Sequence, residues 1–330
     1  MKRERVWMTL PVLLVLVACV LTPVTPPEDD FFTPPPITAD TLVGLQSEDF
    51  DLPGWPVALL WPQADRLLVV TNESEEALQM WELLLFPLRS AAGSPVQVGG
   101  LGPVMAFAPD GSSMALPAGD VLSLVRLDGS PLYTLSSPAL YGAHYDASGD
   151  FLVTTSQVEW QALVWDTTTG LQLAGLTGFE TAAPVYGVLL SPGGSWVVWK
   201  ARATLAVQAV QSGQFTAQMG YRDFVLDVEF LPDASRMVVL VEGRWLVLDL
   251  ATGEELQSCP AQEAFDLAVS PDGRLLVGAA PGQVLFWALD SCALLGSQPG
   301  QADRLGFSPD GRALAGVLAG ETTVRVWSVR

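Results

Sequence analysis

A short turn recurs along this chain at nearly constant spacing. It reads SPDG at Ser270 and Ser308, with relatives APDG at Ala108, LPDA at Leu231, SPGG at Ser191, DASG at Asp146 and WPQA at Trp61. The second residues of these turns are Pro62, Pro109, Ala147, Pro192, Pro232, Pro271 and Pro309, separated by 47, 38, 45, 40, 39 and 38 residues. A period near forty means that one supersecondary unit is stacked or arrayed. Each copy reads as strands. An apolar stretch such as FDLAVS (Phe265 to Ser270) precedes the turn, and a β-rich one such as RMVVLV (Arg236 to Val241) follows it. An alternating segment such as QVLFWAL (Gln283 to Leu289), a hairpin signal such as DTTTG (Asp166 to Gly170) and a weaker strand complete the copy. Four strands per copy are predicted.

Seven such copies resemble the blades of the WD-repeat β-propeller family. VWDTTTG (Val164 to Gly170) carries the resemblance most closely, and Trp81, Trp287 and Trp327 stand at the equivalent tryptophan position, where the other copies hold Val125, Gln208 and Leu248. The resemblance implies an all-β, seven-bladed propeller of four-stranded antiparallel blades over residues 41–330, a monomeric ring. The family's Gly-His dipeptide is missing from every copy, so its buried network of His, Asp and Ser/Thr to the tryptophan is expected to be absent. Copy seven supplies three strands before Arg330, while TLVGLQS (Thr41 to Ser47) is a spare strand ahead of copy one. That strand is predicted to complete the last blade and close the ring, leaving only short outer edges exposed.

The first residues follow export-signal grammar: Lys2, Arg3 and Arg5, then an apolar run from Val6 to Val17. Leu16-Val17-Ala18-Cys19 resembles a bacterial lipobox, which implies a signal peptide over residues 1–18 and lipid attachment at Cys19. The competing reading is an uncleaved anchor, because Val6 to Val24 is free of charge and just long enough to span hydrocarbon. Both readings place the remainder outside the cytoplasm, in a cell envelope. Residues 19–40 are rich in proline and acid and read as a tether, with a reach of about 60 Å in polyproline II form. Within it, Phe31 and Phe32 read either as a docking motif or, the plainer expectation, as residues that pack on the domain's own flank.

Composition narrows the function. The chain has 330 residues and a formal net charge of -20, with lysine only at Lys2 and Lys200, so it lacks the clustered cations that nucleic acid requires. His144 is the single histidine, which disfavours multi-histidine metal sites and leaves one candidate base for nucleophilic catalysis. It is read as a satisfied core or channel residue. Asp110, Asp272 and Asp310 are read as turn residues bonding nearby backbone. No nucleophile elbow or phosphate loop occurs in the sequence. A non-enzymatic protein with no catalytic residue, metal or cofactor is therefore expected.

Blade topology places Cys259 and Cys292 at opposite ends of their strands, so two free thiols are predicted. The loops of copies three to five carry Trp160, Lys200, Arg202, Tyr221, Arg222 and Arg244 on one face, an aromatic and basic sector suited to docking envelope proteins. The alternative for that sector is that its arginines balance Glu159, Glu180, Asp223 and Glu242 while Trp160 covers a blade edge. The apolar stretch Trp81 to Gly93 is either a contact patch or an extended hairpin. The expected function is a membrane-tethered interaction scaffold. The rival is a propeller enzyme or a sugar- or ligand-binding protein with its site at the channel mouth.

Overall fold

The computed structural model describes residues 35–330, apart from 53, 75–76, 85–89, 92–95, 100–103, 157–159, 179–184, 301, 319 and 330. The described residues form seven antiparallel sheets. Blade 3 shows the pattern: Leu140–Tyr145, Phe151–Ser156, Gln161–Asp166 and Gln172–Thr177 pair in chain order. The first strands of the other blades are Trp55–Gln63, Ala106–Phe107, Val185–Leu190, Val225–Phe230, Asp266–Val269 and Arg304–Phe307. First strands of blades 2 and 3, 3 and 4, 5 and 6, and 6 and 7 neighbour one another, and the first strands surround a central channel. Seven hydrophobic cores lie between the blades, one at each junction of the ring. The fold is thus a seven-bladed β-propeller. In blade 1 the outer position is shared, because Ala77–Leu84 pairs with both Ser90–Ala91 and Val96–Gly99. Of the stretch after Trp81, the described segments Ser90–Ala91 and Val96–Gly99 thus fold back on Ala77–Leu84 of their own blade.

The recurring turn owes its form to side-chain chemistry. At Ser270 the hydroxyl oxygen accepts the Leu275 N–H at 2.9 Å, and Gly273 (φ +68) donates its N–H back to the Ser270 carbonyl. Ser308 repeats this with Ala313 N–H at 3.0 Å and Gly311 at φ +70. Asp110, Asp272 and Asp310 each accept a backbone N–H two residues on. In blade 5 the same turn places Ala234 at φ +56, where the other two hold glycine. A left-handed conformation costs an L-residue about 1 kcal/mol. Ala234→Gly is therefore expected to raise stability by about 0.5–1 kcal/mol in urea unfolding, with no change in the m-value.

Ring closure occurs as expected, but with a different segment. The closing strand is Leu45–Asp51, antiparallel to Thr323–Val329, with Leu45 opposite Val329 and Asp51 opposite Thr323. Residues Leu42–Gly44 form a 3-10 turn instead. The register follows from burial and charge. It puts Leu45 and Phe50 into cores, leaves Val43 99% exposed, and sets Asp49 against Arg325 in a two-pronged pair at 2.6 and 2.7 Å. Thr323 Oγ1 donates to Asp51 at 2.8 Å beside it. The predicted tether also ends earlier than residue 40, since Ile37 is buried and its N–H donates to the Gly311 carbonyl at 2.8 Å. Cys19, Phe31 and Phe32 lie outside the described residues.

The prediction of two free thiols is overturned: Cys259 and Cys292 form a disulfide, with Cα atoms 5.5 Å apart. Strand twist explains the error. Each strand rotates about 20–25° against its neighbour, so by the fourth strand the chain runs obliquely across the blade. It then meets the hairpin between third and fourth strands of the next blade. Tyr133 on blade 2 reaches the Thr168 carbonyl on blade 3 in this way, and Thr216 on blade 4 donates to the Leu250 carbonyl on blade 5 at 2.7 Å. Cys259 and Cys292 occupy the same kind of contact between blades 5 and 6.

The tryptophan network is shortened rather than lost. In blade 3, Trp165 Nε1 donates to Thr154 Oγ1 at 3.0 Å, and Ser137 Oγ donates to the same oxygen at 3.0 Å, all three residues being buried. Ser137 supplies the donor from the loop preceding the blade. In blades 6 and 7 the residue beneath the indole is glycine. A Cβ on Gly278 would stand 2.7 Å from Trp287, and one on Gly316 would stand 3.0 Å from Trp327, so bulk has replaced polarity there.

Candidate binding face and channel

The top face carries the blade-to-blade connections and the turns between second and third strands. Trp160 lies there at φ +47, its ring edge-on to Tyr141 with centroids 6.5 Å apart. Arg202 lies over the Phe224 ring at 4.3 Å. Backbone bonds from Tyr221 to Ala203 and from Val225 to Arg202 tie these two loops together, so Arg202, Tyr221 and Arg222 belong to one cluster between blades 4 and 5. Arg244 joins its edge, donating toward Ser258 Oγ at 3.5 Å. Trp160 is one junction away, between blades 3 and 4. Two of the expected docking residues have other tasks. Tyr221 is half-buried in the core between blades 4 and 5, and burial pushes its hydroxyl up to about 12. Lys200 donates its Nζ to the Leu226 carbonyl at 2.8 Å and feels Asp227, Asp266 and Glu229, so its charge is directed at the acidic inner strands. Of the acids proposed to balance the sector, Glu159 and Glu180 lie outside the described residues.

The exposed apolar side chains of this face were not anticipated. Trp55 is 55% exposed, Tyr141 44%, Phe224 43% and Leu226 37%, and all four stand at or just before the start of an inner strand, where it meets the top face. Their signal was present in the sequence, since each falls five to seven residues before its blade's turn. Apolar residues there read as ordinary core strand.

Below the rim the channel encloses about 660 Å³, lined by Phe107, His144, Asp227, Glu229, Phe230 and Arg304 among others. Asp227 and Asp266 fall at the same place in their copies, four residues before the first residue of the turn, and do the same work. Asp227 Oδ2 accepts the Leu267 N–H of the next blade at 2.9 Å, and Asp266 Oδ2 accepts the Leu305 N–H at 2.9 Å. A second Asp227 oxygen accepts the Val228 N–H at 2.9 Å. These carboxylates tie blade 5 to 6 and blade 6 to 7. Glu229 and His144 occupy the position two residues before the turn, and His144 is not a satisfied histidine, because its buried Nδ1 has no hydrogen-bond partner.

Burial shifts these groups in opposite senses. Asp266 is pushed up to about 8, chiefly by burial and then by Asp227. Burial also raises Asp227, and raises Glu229 well above the carboxylate range with Asp227 and Asp266 adding to it. His144 is pushed down to about 4 by burial, against a smaller upward pull from Asp146. A raised carboxyl contributes stability that is fully present below the unfolded value near 3.8 and lost as pH rises toward 8. A depressed histidine contributes stability present above 6.5 and lost as pH falls toward 4. The two oppose below about pH 6.5, and only the carboxyl acts above it. Stability is therefore expected to fall by about 1–2 kcal/mol between roughly pH 6.5 and 8. Asp266→Asn should make that limb shallower in thermal melts taken across the range, with Asp227 and Glu229 supplying the remaining slope; an unchanged slope would refute the assignment.

Among the described residues no group of His, Cys, Asp and Glu is arranged to hold a metal ion, and no helix is long and apolar enough to cross a membrane. The chain matches no protein-family model and has no significant match among curated proteins.

Proposed function

We propose that this propeller is a non-enzymatic docking scaffold, held on the outer side of a membrane by its N-terminal segment, which binds envelope proteins through its top face. The carrying observation is the rim of exposed aromatic and arginine side chains, Trp55, Tyr141, Phe224, Arg202 and Arg222, on an otherwise acidic molecule. Aromatic residues and arginine dominate the energetics of protein interfaces, the aromatics because they bury large areas with few rotatable bonds and arginine because its planar guanidinium both stacks and donates several hydrogen bonds. An extracytoplasmic location is supported by the Cys259–Cys292 bridge, since reducing compartments keep such thiols apart, and by the export grammar before Cys19. The Trp165–Thr154–Ser137 relay supports a divergent relationship to the WD-repeat family, with serine in place of histidine.

Affinity capture from native envelopes tests the docking face. Polypeptides held by the native chain should be lost with Tyr141→Ala/Phe224→Ala, and an unchanged set would end the reading. Mass spectrometry of the mature N-terminus tests the tether: an acylated Cys19 supports the lipid, whereas an intact Met1 supports the anchor.

A further inference from the structure

Glu229 in the channel lacks a hydrogen-bond partner among the described residues, and a cationic ligand would supply one. Glu229 accepts no hydrogen bond from any described residue and lines the same cavity as His144, whose Nδ1 is buried and unpaired. The neighbouring groups are already engaged. Asp227 accepts from Val228 and Leu267, Asp266 accepts from Leu305, and Lys200 donates to the Leu226 carbonyl. Three carboxyls face Lys200 and Arg304, which leaves this sector one positive charge short unless Glu229 keeps its proton.

The cavity continues upward. Ala143, His144 and Leu189 line both the channel and a second pocket of about 420 Å³ between blades 3 and 4. That pocket is walled by Tyr141, Trp160, Trp199 and Val188, and its lining glycines Gly142 and Gly187 put no side chain into it. Aromatic walls above and carboxyls below suit a cation with an apolar tail, since the ring faces and the acids both attract positive charge. An anion would face three carboxyls.

We propose that the channel binds a small primary amine bearing an apolar or aromatic tail, with its ammonium group donating to Glu229 and its tail in the pocket walled by Tyr141 and Trp160. The ammonium replaces the proton on Glu229, so binding releases a proton. The site shares Tyr141 with the rim proposed for protein docking, but Glu229 belongs to the channel alone, so Glu229→Gln tests the amine without touching the rim and either reading survives the failure of the other.

Calorimetry of the full chain with phenethylamine as probe tests this, with 2-phenylethanol and glucose as neutral comparators. The amine is expected to bind at least about tenfold more tightly than 2-phenylethanol, as one charge-assisted hydrogen bond allows, and to release a proton measurable from the dependence of heat on buffer. Glu229→Gln should weaken amine binding about tenfold or more. Gly187→Val supplies an independent reading, since a Cβ there meets only Lys200, at 3.6 Å and beyond; it should hinder the tail while leaving the melting temperature unchanged. Absence of amine binding, equal binding of 2-phenylethanol, preferential binding of glucose, or full affinity in a folded Glu229→Gln chain would each overturn the proposal.

Discussion

Deleting Leu45–Asp51 is expected to abolish the single cooperative unfolding transition of the ring. This strand serves two cores: Leu45 packs with Trp327 and Val329 between blades 6 and 7, and Phe50 packs with Leu67, Val69 and Val326 between blades 7 and 1. Burying two such side chains contributes about 3–6 kcal/mol together. The deletion also exposes the hydrogen-bonding edge of Thr323–Val329 along its whole length and removes the Asp49–Arg325 and Asp51–Thr323 bonds. Against a total stability of about 5–15 kcal/mol, losses of this size remove most of the margin. The open edge adds a hazard of its own, because unpaired strands recruit other chains.

The measurement is urea unfolding followed by tryptophan fluorescence and circular dichroism. Coincident transitions are expected for the native chain, and separated or absent ones for the deletion. A synthetic peptide of residues 45–51 added in trans should partly restore the transition, since its partner edge on the last blade is otherwise intact. Phe50→Ala is a milder form of the same experiment, expected to cost about 3 kcal/mol. If the deletion unfolded with the native midpoint, closure would contribute nothing and the ring would be held by neighbouring blades alone.

The architecture was legible in the sequence because its signals are local and repeated. Turn residues such as Ser270, Asp272 and Gly273 act within six residues of one another, so a reader of the chain sees the whole device. Features that depend on the twist of a blade were not legible. The meeting of Cys259 with Cys292 needs the accumulated rotation of four strands, which no spacing displays. The same holds for Lys200. A lone lysine on a strand of an acidic protein reads as a surface cation, yet its ammonium is held by the Leu226 carbonyl near three carboxyls on the inner strands of blades 5 and 6. The closing strand was found but displaced, because Thr41 to Ser47 alternates about as well as Leu45 to Asp51. Burial of Phe50 against the last blade and the bonds from Arg325 to Asp49 and from Thr323 to Asp51, all far away in sequence, distinguish the two. The acids of the channel left one trace. Asp227 and Asp266 interrupt otherwise apolar segments at the same distance from the turn, a coincidence that marks a shared role in linking blades.

Reduction of the Cys259–Cys292 bridge is expected to lower stability by about 3–4 kcal/mol, from the entropy released to an unfolded loop of 33 residues. The position of Cys292 makes this test more informative than most. It occupies the left-handed site of its hairpin at φ +58, where the equivalent residues of blades 3, 4 and 5 are Gly170, Gly213 and Gly253 at φ +71, +67 and +70. The bridge is thus maintained against a backbone preference of about 1 kcal/mol. Two double variants separate the contributions. Cys259→Ala/Cys292→Ala loses the bridge and keeps the strain, whereas Cys259→Ala/Cys292→Gly loses the bridge and restores the residue that the other blades use. The glycine variant should be the more stable by about 0.5–1 kcal/mol, with both well below the oxidised native chain. Thermal melts with and without reductant give the comparison, and both double variants should be insensitive to reductant. Alkylation of the unfolded but unreduced chain supplies the covalent check, since thiols labelled at Cys259 and Cys292 would show that the bridge is not formed. An effect of reductant confined to the native chain would instead locate the stabilisation in the contact between the outer strand of blade 5 and the hairpin of blade 6, the junction at which this ring is covalently sealed.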